Sequence, residues 1–260
     1  MTPVRVSRLW RYPVKSMRGE AVSELFVEPG GITGDRAYAF TDLRTRQPAS
    51  AKRHAALLQC RAAYLVEPAA AGPPPPVEVT FPDGTVVRDD HSELTRRVAE
   101  LLGCPVRLTV DTPGRLVDLA PVHVLAASTL RRLAAAYPDG DWDPRRLRPN
   151  ILIDDDPAGE GEDGWLSCDL HIGADAVLHV VTPTARCVTT TLAQGDLPRD
   201  RNVLRTLARV GRRQVGSLGE FLCAGSYAEV VTGGTIRTGD PVRIERVPPR
   251  GGVIADAING

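Results

Sequence analysis

Lysine is nearly absent from this 260-residue chain: Lys15 and Lys52 stand against thirty arginines. That bias, with abundant alanine, glycine and proline, suggests a GC-rich, bacterial genome and makes each surviving lysine worth following. Net charge is missing too, since 32 basic side chains meet 32 acidic ones. Without a broad basic field the chain has little with which to hold nucleic acid, and that class is set aside. No apolar run approaches the roughly 20 residues of a membrane helix, so no membrane partner is expected. The opening MTPVRVSRLWRYPVKS is charged and alternates like a strand, unlike a signal peptide. Five cysteines (Cys60, Cys104, Cys168, Cys187 and Cys223) lie far apart. The absence of CxxC and CxH pairs argues against a zinc knot or an iron–sulfur cluster. An odd cysteine count without a secretion signal suits a reducing cytoplasm.

What is present is enough hydrophobic material, 42% of residues, to bury a core in one large domain or two small ones. Strands dominate. Val4–Trp10 and Ala21–Val27 alternate with period two, and short β-like runs follow at Ala37–Phe40, Ala62–Val66, Val77–Phe81, Val106–Val110, Ile151–Ile153, Ala176–Val181, Val188–Leu192, Tyr227–Val231 and Val242–Ile244. Turn residues at short intervals give the rhythm of barrels and curved sheets. Helices are few. Asp90 with Glu93 resembles a capping box opening a helix that Gly103 stops after Leu102. Others are expected from Ser128 to Ala136, in a short turn after Asp143-Pro144, and over Leu204–Val210 capped by Asn202. Glu67–Pro76 is too proline-rich for regular structure, and the acidic Asp154–Gly164 reads as a solvated excursion. A change of character near Arg115 divides the chain, and the tail from Pro248 is expected to be mobile.

Several short segments can carry chemistry. Cys187 follows Arg186 at the mouth of a β run. A neighbouring cation favours the thiolate, which attacks electrophiles or binds a soft metal; the alternative is a small buried hydrophobe. Tyr12-Pro13-Val14-Lys15-Ser16 ends the first strand with a lysine and a hydroxyl suited to a phosphate, or with a solvated strand end. Gly34-Asp35-Arg36 follows glycines that permit close backbone approach, and alone it reads as a turn. Arg148-Pro149-Asn150 offers a guanidinium fork and an amide, or a loop salt bridge and a turn. Ser128 lies at a helix start whose free N–H groups suit an anion. The five histidines are scattered, without ligand spacing, and are expected to be mostly structural.

Taken in order, Tyr12–Ser16, Gly34–Arg36, Arg148–Asn150 and Ala185-Arg186-Cys187 with Thr189-Thr190 resemble the MOSC family in its form with an N-terminal β-barrel domain. The chain is similar to bacterial MOSC proteins and mitochondrial amidoxime-reducing components over about Val4–Val247. The resemblance implies a mainly β (α+β) fold of two barrel-like halves, with residues 1–114 as the N-terminal MOSC β-barrel domain, 115–247 as the MOSC domain and 248–260 as a tail. It implies a molybdenum cofactor, with Mo-molybdopterin held in the cleft between the halves and Cys187 as the metal ligand. Lys15, Ser16 and Arg36 would hold it from one side, and Ser128, Arg148, Asn150 and Arg186 from the other. Pyridoxal phosphate binding also accompanies the family. Relatives often place serine where Ala185 stands, so one cofactor hydrogen bond is missing here.

The activity so implied is two-electron reduction of an N-hydroxylated or N-oxide small molecule. Electrons would come from a separate reductase or ferredoxin-like partner, because the chain has neither GxGxxG nor clustered cysteines. The competing readings are a carrier of molybdenum cofactor without turnover, a sulfur carrier using a Cys187 persulfide, and a β-barrel interaction module.

Overall fold

The computed structural model describes residues 3–70, 72–88, 90–110, 116, 119–248 and 250. The expected boundary at Arg115 and most of the expected tail lie outside the described residues. No described helix is long and apolar enough to cross a membrane.

The first alternating run becomes the strand Arg5–Arg11. Its register shifts between Val6 and Arg8. The irregularity lets Val6 and Leu9, three residues apart, enter the same core, while Trp10 joins a different cluster. This strand belongs to a nine-stranded sheet. The path runs Val242–Arg246, Cys168–Ile172, Ala176–Ala185, Glu220–Thr232, Val122–Ala126, Ile151–Asp154, Arg5–Arg11 and Glu20–Val22, with Arg212–Gln214 added beside Glu220–Thr232. Val122–Ala126 and Ile151–Asp154 pair in parallel. They therefore need a crossover, which the helix α1, Ala127–Ala136, supplies. Leu133 of this helix and Val203 and Leu207 of α2, Asn202–Val210, cover Trp10, Leu125 and Leu152. The barrel interior holds Val6, Leu9, Val124, Ile151, Leu178 and Val180.

The N-terminal half has its own core. Phe40, Leu57 and Val79 meet Leu94 and Val98 of the helix His91–Leu102. Asp90 caps that helix by accepting from the N–H groups of Ser92 and Glu93, and Gly103 ends it in the left-handed region, as the sequence suggests. The halves interlock. Arg5–Arg11 and Glu20–Val22 sit in the C-terminal sheet, and Glu24–Glu28 pairs with Gly234–Arg237.

Four local expectations need correction. Val188–Thr191 is a short 3-10 helix rather than a strand. Ala21–Val27 is two strands broken at Ser23. Asn202 is the first residue of its helix, and Asp200 Oδ1 accepts from its N–H at 2.8 Å. Most consequential, the acidic excursion is not simply solvated. Asp155 and Glu162 are buried, and both turn back onto the start of α1.

Candidate functional site

The site begins where the first strand ends. Arg36 N–H donates to Tyr12 O (2.7 Å), Tyr38 N–H to Pro13 O (3.0 Å) and Lys15 N–H to Tyr38 O (2.8 Å). This short zipper lays Tyr12–Ser16 beside Arg36–Tyr38 and brings Lys15, Ser16 and Arg36 together. Tyr12 then ties them to the other half. Its hydroxyl donates to Pro149 O at 3.0 Å, and the guanidinium carbons of Arg148 and Arg36 lie 4.3 and 5.0 Å from its ring centroid. Burial raises the Tyr12 phenol to about 12, so it stays a neutral donor.

Between the halves lies a cavity of about 250 Å³. Six cationic side chains line it (Lys15, Arg36, Lys52, Arg146, Arg148 and Arg186), and none of its described lining residues is acidic. Both lysines of the chain are among them. Cys187 opens into the same space and is half-buried, whereas the other four cysteines are buried. Burial pushes Cys60 up to about 12 and Cys223 up to about 11, which leaves those thiols inert. Cys187 sits between the end of Ala176–Ala185 and the 3-10 turn, with Sγ 3.3 Å from Thr189 Oγ1.

Backbone strain concentrates here. Among the described residues only five non-glycines have positive φ, and three of them line the cavity: Ser16 (69°), Arg36 (52°) and Arg148 (52°). Such conformations persist where the surroundings enforce them, often at functional sites. Ser16 Oγ accepts from Ala51 N–H at 3.1 Å, holding the Ser50–Lys52 segment against the cavity.

Arg186 and His123 form the far wall. Arg186 donates to the carbonyls of Leu147 and Ala224, and its guanidinium meets His123 Nε2. His123 Nδ1 lies 3.0 Å from the Arg148 carbonyl, which can only accept. The ring is therefore the neutral Nδ1–H tautomer, with Nε2 accepting from Arg186. Burial, then the charge of Arg186, holds the His123 pKa well below its ordinary value. Arg146 is almost wholly buried. Its Nε and one Nη donate to Asp141 O and Pro198 O, while Nη1 has no partner among the described residues.

Lys15, Ser16, Arg36, Arg148, Arg186 and Cys187 thus converge as the sequence suggests. Two candidates do not. Ser128 gives its N–H and hydroxyl to Asp155 at 2.8 and 2.6 Å. Glu162 accepts from Ala126 N–H and from the Thr129 hydroxyl, both at 2.9 Å. The helix start expected to receive a ligand anion is thus filled by the chain's own carboxylates. Asn150 is fully buried and stitches strands, accepting from His123 N–H at 3.2 Å and donating to Trp10 O at 3.3 Å. Sequence reasoning missed Arg146, which carried no signal, and His123, which looked structural. Lys52 had one signal, its rarity. Elsewhere, Asp42, His54 and Cys104 bring ligand atoms within 4.8 Å of one another despite unremarkable spacing. Asp42 Oδ1 already accepts from the amides of Arg44 and Thr45.

Residues 111–243 match the MOSC domain, and residues 3–96 match the MOSC N-terminal beta barrel domain. The chain belongs to the MOSC family. MOSC domains bind molybdenum cofactor. Among solved structures, this MOSC chain is similar to the YUAD protein from Bacillus subtilis, with TM-score 0.51 and 12% identity over 95% of this chain and 98% of that one; the likeness shows a shared fold. YiiM from Escherichia coli matches with TM-score 0.41 and 10% identity over 99% and 74% of the two chains. YiiM from Geobacillus stearothermophilus matches with TM-score 0.35 and 18% identity over 52% and 57%. No curated protein matches in sequence.

Proposed function

We propose that this MOSC protein holds a molybdenum–pterin cofactor in the cation-lined cavity and reduces an N-hydroxylated or N-oxide small molecule. The observation that carries the reading is the convergence of the one half-exposed thiol with six lining cations, of which Arg36 is ion-paired with Asp35 behind the wall, and no carboxylate among the described lining residues. An anionic, acceptor-rich group carrying a soft metal matches that donor set. The unpartnered Nη1 of buried Arg146 fits the same group, because a lone donor inside protein favours an acceptor.

In this reading Cys187 is the thiolate ligand. Lys15, Arg36, Lys52 and Arg148 face the oxyanions, and Arg146 supplies its free N–H. Arg186 is a wall rather than a direct anchor, since its donors go to Leu147, Ala224 and His123. Ser16 positions Lys52 through Ala51. When bound, the cofactor supplies the two-electron chemistry at the N–O bond, and the protein orients and insulates it. The balance is R–NHOH with two electrons and two protons giving R–NH2 and water. A separate redox protein is the electron source.

The test is expression in a molybdopterin-synthesising host, followed by molybdenum and pterin analysis and assay of an amidoxime and N-oxide panel with reduced viologen. Stoichiometric metal with pterin and turnover is expected. The Cys187→Ser variant should keep its fold and lose turnover, because alkoxide is a harder, more basic ligand. Protein free of both metal and pterin would overturn the reading. Metal and pterin without turnover would make the chain a carrier.

A further inference from the structure

A second cavity, of about 230 Å³, adjoins the first, and Arg148 lines both. Trp10 and Tyr12 form aromatic walls, Arg18, Arg61 and Arg145 bring further cations, and no described lining residue is acidic. Two of its donors are buried without partners. Gln194 is 2% exposed, and its Nε2 finds no acceptor among the described residues. Arg18 gives one Nη to Gln59 O at 3.0 Å, but its Nε is buried and unmet. A buried donor left unpaired is costly, so a ligand acceptor is the natural completion.

The charges point the same way. Arg145 is neutralised by Asp143 and Asp196, with N···O distances of 2.8 Å to each. Arg61 is exposed at the mouth, and its side chain makes no hydrogen bond or ion pair among the described residues. Burial pulls the Arg18 pKa down; Asp196 opposes this, and Arg61 and Arg145 add to it.

A Cβ on Gly195 would fall 2.3 Å from an Arg18 Nη, and a Cβ on Gly19 would fall 2.1 Å from the Arg11 carbonyl oxygen. Glycine at 195 lets the chain pass close to Arg18, and glycine at 19 lets it pass the Arg11 carbonyl and the Tyr12 ring. The unmet groups are N–H donors on separate chain segments. A tetrahedral oxyanion presents acceptors in several directions, whereas a carboxylate presents two oxygens in one plane.

We propose that the second cavity binds a phosphate monoester or inorganic phosphate, held by Gln194 Nε2, Arg18 Nε and the Arg61 guanidinium. The ligand is either free phosphate or the phosphate end of an organic molecule that enters the first cavity past Arg148.

Calorimetric titration of the cofactor-free chain with inorganic phosphate at low ionic strength tests this. Saturable binding is expected, weakened about tenfold or more by Gln194→Leu and by Arg61→Ala, since each removes a hydrogen bond to a charged ligand. Thermal unfolding checks that both variants stay folded, and exposed Arg61 should be tolerated even where Gln194→Leu is not. Repeating the titration on protein carrying pterin separates the sources. Persistent phosphate binding assigns free phosphate. Lost binding, with weaker pterin retention in Arg61→Ala, assigns the phosphate of a molecule spanning both cavities. Heat without saturation, or equal affinity in wild type and both variants, overturns the proposal. Because the first titration uses the cofactor-free chain, its outcome is separate from that of the molybdenum test.

Discussion

His123 should make the cofactor-free protein acid-sensitive well above the carboxylate range. The ring is buried, neutral and fixed as a bridge, Nδ1–H to the Arg148 carbonyl and Nε2 from Arg186. Its folded pKa lies well below the ordinary value of 6.5. As pH falls below 6.5 the unfolded chain takes up a proton that the folded chain refuses, so stability is present above that pH and declines below it. The limiting slope is about 1.4 kcal/mol per pH unit, and integration from pH 8 to pH 5.5 gives a loss of about 1.4 kcal/mol from this residue alone. His123→Gln keeps an acceptor for Arg186, loses the bond to Arg148, and cannot titrate. It should be about 1 kcal/mol less stable at pH 8, with the gap closing by pH 5.5. Urea unfolding of both proteins at half-unit pH steps measures this, and subtracting the curves removes the other histidines. Parallel stability–pH curves would refute the assigned tautomer and its burial.

Three further outcomes follow from the same geometry. Glu162→Ala strands the amides of Ala126 and Gly225 and the Thr129 hydroxyl; at about 1–3 kcal/mol each, the loss in urea unfolding should reach about 3 kcal/mol, and under about 1 kcal/mol would contradict the cap. Lys15→Ala and Arg36→Ala should each cut pterin retention through gel filtration, by roughly ten- to a hundredfold in affinity, and Arg36→Ala should also lower apo-protein melting, because it leaves buried Asp35 without its ion pair; unchanged pterin content would remove them from the site. Lacking a dinucleotide fingerprint, the purified protein should show substrate turnover with reduced viologen yet none with NADH alone, and steady NADH oxidation free of contaminating reductase would refute the need for a partner.

Much of this site was legible because its backbone is short-range. Pro13 after a strand, the glycines before Arg36, and Cys187 beyond a long strand each announce a chain break where a side chain can face a cleft. Strand periodicity found most of the fold for the same reason, since alternation reflects burial on one face. Val188-Thr189-Thr190-Thr191 failed because β-branched residues raise strand propensity while local hydrogen bonds, from the Thr190 and Thr191 hydroxyls back to Cys187 O and Val188 O, close a 3-10 turn. Ser128 failed for a longer-range reason: Asp155 and Glu162, 27 and 36 residues from the amides they cap, arrive from a segment whose composition reads as solvent-facing. Arg146 and Gln194 were invisible, because an unmet buried donor is a property of packing and leaves no pattern in sequence.

The scarcity of lysine, coupled to where both lysines sit, makes the cavity chemically addressable. An amine-directed acylating reagent at mildly alkaline pH has two side-chain targets besides the N-terminal amine, and both line the same space. Peptide mapping of the modified chain would therefore read the occupancy of that space directly, with thirty arginines spectroscopically and chemically silent around it. The paucity of one amino acid turns a general protein reagent into a local footprint.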